Sequence, residues 1–240
     1  MRSTMISCAA AALLAVALNA AAATFGLTPM RVELSAAAPT AVVTVNNSGD
    51  APLTIQAQAY TWTQPDGDDV YAETREFIVS PPIFTIAPGA AQVLRIALRG
   101  TPPAEREQAY RLIFREIPQA EESAADRALF HIALNLNIPM YVAPLRGTVA
   151  PKPSFSAESE PAGAPRLRIA NDGTGNLRLA PLAVAQGADT LAEQDVFVVL
   201  PGAIRFIPLP KDRVRAGAPL RIEAQSNAGR IDLAVPVGKP

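Results

Sequence analysis

Residues 129–141 of this sequence are Leu-Phe-His-Ile-Ala-Leu-Asn-Leu-Asn-Ile-Pro-Met-Tyr. Every second residue from position 130 to position 140 is large and apolar, and the residues between them are His131, Ala133, Asn135, Asn137 and Pro139. This alternation is typical of a β-strand that buries one face, and the run is about twice the usual strand length. Because Pro139 cannot donate a backbone hydrogen bond, we expect a sheet edge on at least one side of this strand.

Two interpretations of this strand follow from its pattern. It is either a central core strand with the proline at a bend, or an edge strand that is kept available to complete the sheet of another protein. A long apolar edge is otherwise an aggregation hazard, so the second interpretation implies a partner.

The rest of the chain also favours short strands over helices. From Phe25 onward apolar residues recur with period two, and turn clusters such as Asn46–Asp50, Gln64–Asp68 and Ala87–Gly89 separate them. Only a short piece around 119–127 is compatible with a helix. The pattern predicts an all-β protein with two β-sandwich domains, 24–144 and 145–240, joined through the proline-containing segment 143–153.

The first 23 residues have the form of an export signal. Arg2 precedes an apolar, alanine-rich stretch that ends in Ala21-Ala22-Ala23, and this order predicts a signal peptide cleaved after Ala23 or Ala22. The alternative is an uncleaved membrane anchor, although alanine is only weakly hydrophobic. Cleavage would remove Cys8, the sole cysteine, and would leave a mature chain with no membrane insertion.

Composition excludes several classes of function. The 240 residues carry 21 basic and 22 acidic side chains, so no basic excess exists to bind nucleic acid. One cysteine and one histidine, His131, leave no basis for a metal site or a Cys/His nucleophile pair. No motif for a nucleotide, for any other cofactor or for a catalytic residue is present. Acidic pairs such as Asp68-Asp69 and Glu121-Glu122 lie in polar segments and are expected to be solvated.

These absences favour a binding module over an enzyme. A hydrolase built on a β-sandwich stays open, because two carboxylates can meet across a cleft without any sequence motif. A secreted adhesive or carbohydrate-binding module is the other alternative. It would be expected to cluster exposed aromatic side chains, whereas this chain has one tryptophan, Trp62, and four tyrosines.

Several segments resemble the periplasmic pilus-assembly (fimbrial) chaperones of the chaperone–usher pathway. The residues that carry the resemblance are Thr28–Val32, Val45–Asn47, Ser80–Pro82, Ile86–Gly89, Tyr110–Pro118, Ile138–Pro144, Asn171–Gly173 and Leu200–Ala203. The run Phe114-Arg115-Glu116-Ile117-Pro118 before an alternating strand is the most specific of them. Its form looks most like the archaic branch, which serves spore-coat-U-like pili.

The resemblance implies two immunoglobulin-like domains in a boomerang arrangement and a periplasmic location. Such a chaperone lends a strand to a pilus subunit that lacks one, and later passes the subunit to an outer-membrane usher, without a cofactor. In this sequence the side chains lent to the subunit's groove would be Phe130, Ile132, Leu134, Leu136 and Ile138.

The resemblance also suggests how a subunit would be held in register. Arg31 matches one of two basic residues that, in the family, bind the subunit's terminal carboxylate. The alternative interpretation is that Arg31 is an ordinary surface charge. The second basic position falls at Pro139, so a substitute would have to come from Arg95, Arg111 or Arg115.

Two further positions carry expectations from the family. Glu107 matches the acidic member of an interdomain ion pair whose basic position falls at Ala143, and its alternative is an exposed charge. Pro82 matches a position at which the family often has a cis bond.

Overall fold

The computed structural model describes residues 25–117, 135–159 and 163–237. The predicted signal peptide, the 119–127 piece, His131 and the donor residues Phe130, Ile132 and Leu134 lie outside these ranges. In the first half the strands are β1 (Phe25–Thr28), β2 (Val32–Leu34), β3 (Thr40–Asn47), β4 (Leu53–Thr63), β5 (Val70–Glu73), β6 (Phe77–Ser80), β7 (Ile83–Ile86), β8 (Ala91–Leu98), β9 (Gln108–Glu116) and β10 (Asn135–Val142). The second half has β11 (Pro153–Ser159), β12 (Pro165–Asn171), β13 (Leu177–Gln186), β14 (Asp189–Gln194), β15 (Phe197–Val199), β16 (Ile204–Pro208), β17 (Leu220–Ser226) and β18 (Gly229–Val235).

The first domain is a sandwich of two sheets. One sheet has the order β1-β3-β8-β6, and the other has the order β2-β10-β9-β4-β5 with β7 also on β4. The first strand changes sheets at the cis bond Thr28–Pro29, so β1 pairs with β3 while β2 pairs with β10. Alternate side chains of both sheets, among them Val43, Leu94 and Phe114, meet in one core.

The second domain is a smaller sandwich with its own core. Its sheets run β11-β12-β16 and β14-β13-β17-β18, with β15 also on β13. Leu167, Ile169 and Leu179 are fully buried between them. The predicted all-β architecture of two sandwich domains is confirmed.

The apolar pattern of the sequence did not predict four of the strands, β5, β6, β11 and β14. All four residues of β5 are exposed, so no alternation marks it, and β14 buries a single residue. The cis bond of this region precedes Pro81 rather than Pro82, which corrects the position taken from the family.

Within the described ranges, no helix is long and apolar enough to cross a membrane. The same ranges contain no group of three or more histidine, cysteine, aspartate or glutamate side chains arranged to hold a metal ion.

Candidate functional site in the cleft between the domains

Strand β10 has one complete neighbour and one partial neighbour. It pairs with β9 over its whole length, from Asn135 to Val142. It pairs with β2 only over Met140–Val142. In the described part of the chain the β2 side of Asn135–Pro139 is therefore an open edge, and Pro139 lies on it.

The apolar face of β10 enters the core of its own domain. Ile138, Met140 and Val142 are fully buried there, whereas Leu136 is partly buried against the same core. The interpretation as a core strand thus holds for β10 from Ile138 to Val142. Ile138 was predicted as a donor residue, but its side chain is fully buried in this domain's own core and is therefore not available to a subunit's groove.

Arg31 stands where the open edge ends. It directly precedes Val32, which pairs with Met140, so Arg31 comes level with Pro139. Its guanidinium lies 4.4 Å from the centre of the Tyr141 ring, and its Nε donates a hydrogen bond of 2.7 Å to Glu33 Oε1. The side chain is 35% exposed and can reach a ligand beside the strand.

Arg111 stands on the other side of Pro139. It is the direct partner of Pro139 in β9, and its guanidinium lies 3.7 Å above the centre of the Trp62 ring. Its Nη1 donates a hydrogen bond of 3.1 Å to Asn137 Oδ1, while its Nε is buried with no acceptor among the described residues.

The other two candidate cations lie elsewhere. Arg95 belongs to β8, in the opposite sheet, where it pairs with Val42. Arg115 lies against Tyr60, 5.4 Å from the ring centre and further along β9 from the cleft. Of the three candidates, only Arg111 adjoins Pro139.

The two arginines therefore flank Pro139, Arg31 directly before β2 and Arg111 in β9. Two strand spacings separate their Cα atoms, about 10 Å. The Tyr141 ring beside Arg31 and the Trp62 ring beside Arg111 have their centres 6.2 Å apart. Burial raises the pKa of Tyr141 to about 12, although the charges of Arg31 and Arg111 act to lower it. Two guanidinium groups thus lie beside two aromatic rings, and this concentration of positive charge suits the binding of an anion.

The second domain forms the other wall of this cleft. Leu200 packs in one buried cluster with Trp62 and Tyr141 from the first domain. This buried position leaves Trp62 only 2% exposed, so the sole tryptophan offers no free ring face for stacking on a sugar.

Glu107 joins the domains, but not through an ion pair. It is 8% exposed, and its Oε1 accepts hydrogen bonds of 2.9 Å and 2.6 Å from the backbone N and Nδ2 of Asn176. Asn227 in turn donates to the Asn176 carbonyl. Among the described residues, the partner of Glu107 is thus the amide of Asn176 and not the predicted cation. The alternative, that Glu107 is an exposed charge, is also wrong, because the residue is buried. Burial raises the pKa of Glu107, an effect that the Asn176 hydrogen bonds partly offset.

A second interdomain contact was missed by the sequence reasoning. Gln64 is buried, donates through Nε2 to the Val198 carbonyl at 2.9 Å and accepts from Leu200 N at 2.8 Å. Asp69 is exposed, as expected, but it also accepts hydrogen bonds from Trp62 and Gln64. The sequence marks this segment as a turn but carries no signal that the turn docks on another domain.

Comparison with known proteins identifies the family. Residues 24–147 match the family model described as "Pili and flagellar-assembly chaperone, PapD N-terminal domain". The chain belongs to this family of pilus-assembly chaperones. A curated relative, chaperone protein LpfB of Salmonella typhimurium, is 30% identical over 183 residues, which cover 73% of this chain and 74% of the relative. Chaperone protein FimB/FhaD of Bordetella pertussis is 29% identical over 145 residues, 56% of each chain.

Solved structures show the same fold. The CsuC–CsuE chaperone–tip adhesion subunit complex from the archaic Csu pili of Acinetobacter baumannii gives a TM-score of 0.70 at 21% identity, and covers 90% of this chain and 100% of that chain. The Salmonella enterica SafB chaperone in complex with SafA pilin gives 0.63 at 16%, with coverage of 88% and 96%. Pilus-assembly chaperones are not enzymes, so family membership confirms that prediction and removes the hydrolase alternative.

Proposed function

We propose that this pilus-assembly chaperone binds pilus subunits by donor-strand complementation, with β10 and the residues before it as the lent strand. The observation that carries the proposal is the open edge of β10 at Asn135–Pro139, which ends between Arg31 and Arg111. An added strand finds free backbone groups along this edge and two cations where the edge stops.

The direction of the added strand follows from where the cations lie. Arg31 stands at the inner end of the open edge, next to the start of β2. A subunit strand whose terminal carboxylate meets Arg31 therefore runs parallel to β10. β2 already pairs with β10 in this direction one step further along, so the same edge supports parallel pairing.

The apolar donor set is Phe130, Ile132, Leu134 and Leu136. Their alternation in the sequence continues that of Ile138 and Met140, which are buried in the chaperone's own core. Residues 138–142 would thus fix the strand while the residues before them enter the subunit. Each fully buried side chain of this size contributes about 1.5–3 kcal/mol. Four of them would contribute roughly 6–12 kcal/mol before ordering costs.

The carboxylate anchor is the pair Arg31 and Arg111. A guanidinium suits a carboxylate because it can form two parallel charge-assisted hydrogen bonds. Arg111 takes the role that the family gives to the position of Pro139, since the two are paired neighbours.

The location and pathway follow from family membership and the N-terminal sequence. The export signal at 1–23 supports a periplasmic protein, and membership supports delivery of the bound subunit to an outer-membrane usher. The Tyr110–Pro118 sequence and the likeness to the chaperone of an archaic system support service to an archaic-type pilus. Release needs no nucleotide, because a following subunit's extension can replace the lent strand.

The test of strand donation is co-expression with a pilus subunit of the same genome in a periplasm, followed by size-exclusion chromatography and mass determination. The wild type is expected to elute as a one-to-one complex. Leu134→Asp with Leu136→Asp should abolish the complex, because two charges would enter an apolar groove. Asn135→Asp, on the opposite face between them, is the matched control and should keep the complex. A stable complex with the doubly substituted chaperone would refute strand donation.

The anchor has its own test. A synthetic peptide of the subunit's C-terminal strand should bind the wild type more tightly as the free acid than as the C-terminal amide, by roughly tenfold or more, since a hydrogen bond to a charged group contributes about 1.5–3 kcal/mol. Arg31→Ala and Arg111→Ala should each bring this acid-to-amide ratio close to one. A ratio that stays at the wild-type value in both variants would move the anchor elsewhere and leave strand donation untouched.

A further inference from the structure

We propose that Asp69 is a positioning residue that holds Arg111 in place through Trp62 and ties this arginine to the second domain. The proposal rests on the anchor role of Arg111 argued above. It concerns a carboxylate that the sequence pattern assigned to solvent.

Asp69 collects donors from both domains. Its Oδ1 accepts hydrogen bonds of 2.8 Å from Trp62 Nε1 and 2.8 Å from Gln64 Nε2. Its Oδ2 lies 3.9 Å from Arg205 Nη2, in the second domain, and its side chain is 28% exposed. One carboxylate thus joins an indole, an amide and a guanidinium.

Trp62 transmits this contact to Arg111. A cation over an indole face is attracted by the negative charge of the ring face, and the Arg111 guanidinium lies 3.7 Å from the Trp62 ring centre. The bond from Nε1 to Asp69 fixes the rotation of the indole in its plane. Arg111 Nε finds no acceptor in the described part of the chain. The side chain is held by the hydrogen bond to Asn137 and by the rings of Tyr71 and Trp62, and the Trp62 ring is the nearer of the two.

The second domain also contacts the turn between Gln64 and Asp69. Gln64 pairs with the backbone of Val198 and Leu200 much as a neighbouring strand would. Arg205 Nε donates to the Gly67 carbonyl at 3.1 Å. Gly67 has φ +95, a conformation that favours glycine, and a Cβ there would lie only 3.0 Å from the Phe206 ring of the second domain.

Domain orientation and anchor geometry are therefore linked. A rotation that separates Gln64 from Val198 and Leu200 also withdraws Arg205 from Asp69. Asp69 then keeps only the hydrogen bonds from Trp62 and Gln64 of its own domain, and Gln64 has itself lost its partners in the second domain. The support that Asp69 gives to Trp62 and Arg111 is weakened as a result. The anchor is fully formed only in the domain arrangement that closes the cleft.

The experiment compares Asp69→Ala with Asp68→Ala, an exposed neighbour in the same turn. Trp62 is the only tryptophan, so its fluorescence reports on this site in the full-length mature chain. Asp69→Ala should shift the emission to the red and should lower the acid-to-amide ratio of peptide binding by about fivefold, the scale of one lost hydrogen bond. Asp68→Ala should change neither.

A double variant separates positioning from general damage. In the Arg111→Ala background, Asp69→Ala should cause no further loss of affinity for the free-acid peptide, because nothing remains to be positioned. An equal loss in both backgrounds, or a wild-type ratio in Asp69→Ala when Arg111→Ala has lost it, would overturn the positioning role alone. A wild-type ratio in Arg111→Ala would refute the anchor assignment itself, and this proposal with it.

Discussion

The two halves of β10 follow one alternating pattern but have different surroundings. The inner half, Met140–Val142, lies between β2 and β9, and its apolar side chains are fully buried. The outer half, Asn135–Pro139, is hydrogen-bonded on the β9 side alone within the described ranges, and Leu136 is only partly covered. A period of two thus identifies an apolar face, but not whether the surface that covers it belongs to the same chain.

This division fits the proposed role of β10, in which the outer part enters a subunit while the inner part stays in its own sheet. The inner half is fixed by the closed core and by two neighbouring strands, so this part of the proposed donor strand is already ordered before a subunit binds. Pre-organisation of this kind lowers the entropic cost of association. The boundary between the halves lies at Pro139, between Arg31 and Arg111.

The largest effect should come from truncating the inner half. Met140→Ala is expected to lower the free energy of unfolding of the first domain by about 2–5 kcal/mol, because it leaves a cavity in a closed core. Leu136→Ala should lower it by about 1 kcal/mol or less, since that side chain is already partly exposed. Urea unfolding followed by Trp62 fluorescence measures both. Equal losses would erase the contrast between the halves.

A rescue experiment at the boundary sharpens the comparison further. Arg111→Ala should weaken subunit-peptide binding roughly tenfold. Adding Pro139→Lys to that variant should recover a good part of the loss, because the new ammonium lies on the same face beside the empty Trp62 ring. The matched control, Asn137→Lys with Arg111→Ala, places the same charge two residues away and should recover less. Equal recovery by both would show that overall charge, and not the position next to Arg31, governs binding.

Strands that bury one face were predictable from the sequence, and strands without such a face were not. β3, β4, β8 and β9 each alternate buried and less buried residues, so the period of the apolar residues revealed them. β5 has no buried residue, so it has no apolar period, and it is a strand because its backbone pairs with β4.

The site was predictable only in part. Arg31 came from the resemblance, while Arg111 stayed one of three candidates because its register opposite Pro139 exists only in the folded sheet. The interdomain contacts were out of reach for the same reason. Glu107 and Asn176 are 69 residues apart in sequence, and Gln64 and Val198 are 134 apart. Local pattern cannot report which amide meets which carboxylate over such separations.

The smallest effect is expected at the inner end of β10, where Val142 pairs with Gln108, next to Glu107. Burial raises the pKa of Glu107, while the hydrogen bonds from Asn176 and the charge of Arg31 act to lower it. The folded state therefore holds this proton more tightly than the unfolded state, so stability rises as the pH falls through the raised pKa and is lost as the pH rises. Glu107→Gln keeps Oε1, the atom that accepts both Asn176 bonds, and removes the buried charge.

At pH 7 the Glu107→Gln variant should be as stable as the wild type or slightly more stable, by less than about 1 kcal/mol. Its advantage should vanish as the pH approaches 4.5, the ordinary value for a glutamate. Thermal melting at pH 7 and pH 5 measures the difference, with Glu105→Gln, an exposed carboxylate two residues earlier, as the control. A clear loss of stability for Glu107→Gln at pH 7 would mean that the ionised carboxylate contributes more at this interface than its desolvation costs. The end of β10 would then be held by charge, in contrast to the apolar packing that holds the rest of its inner half.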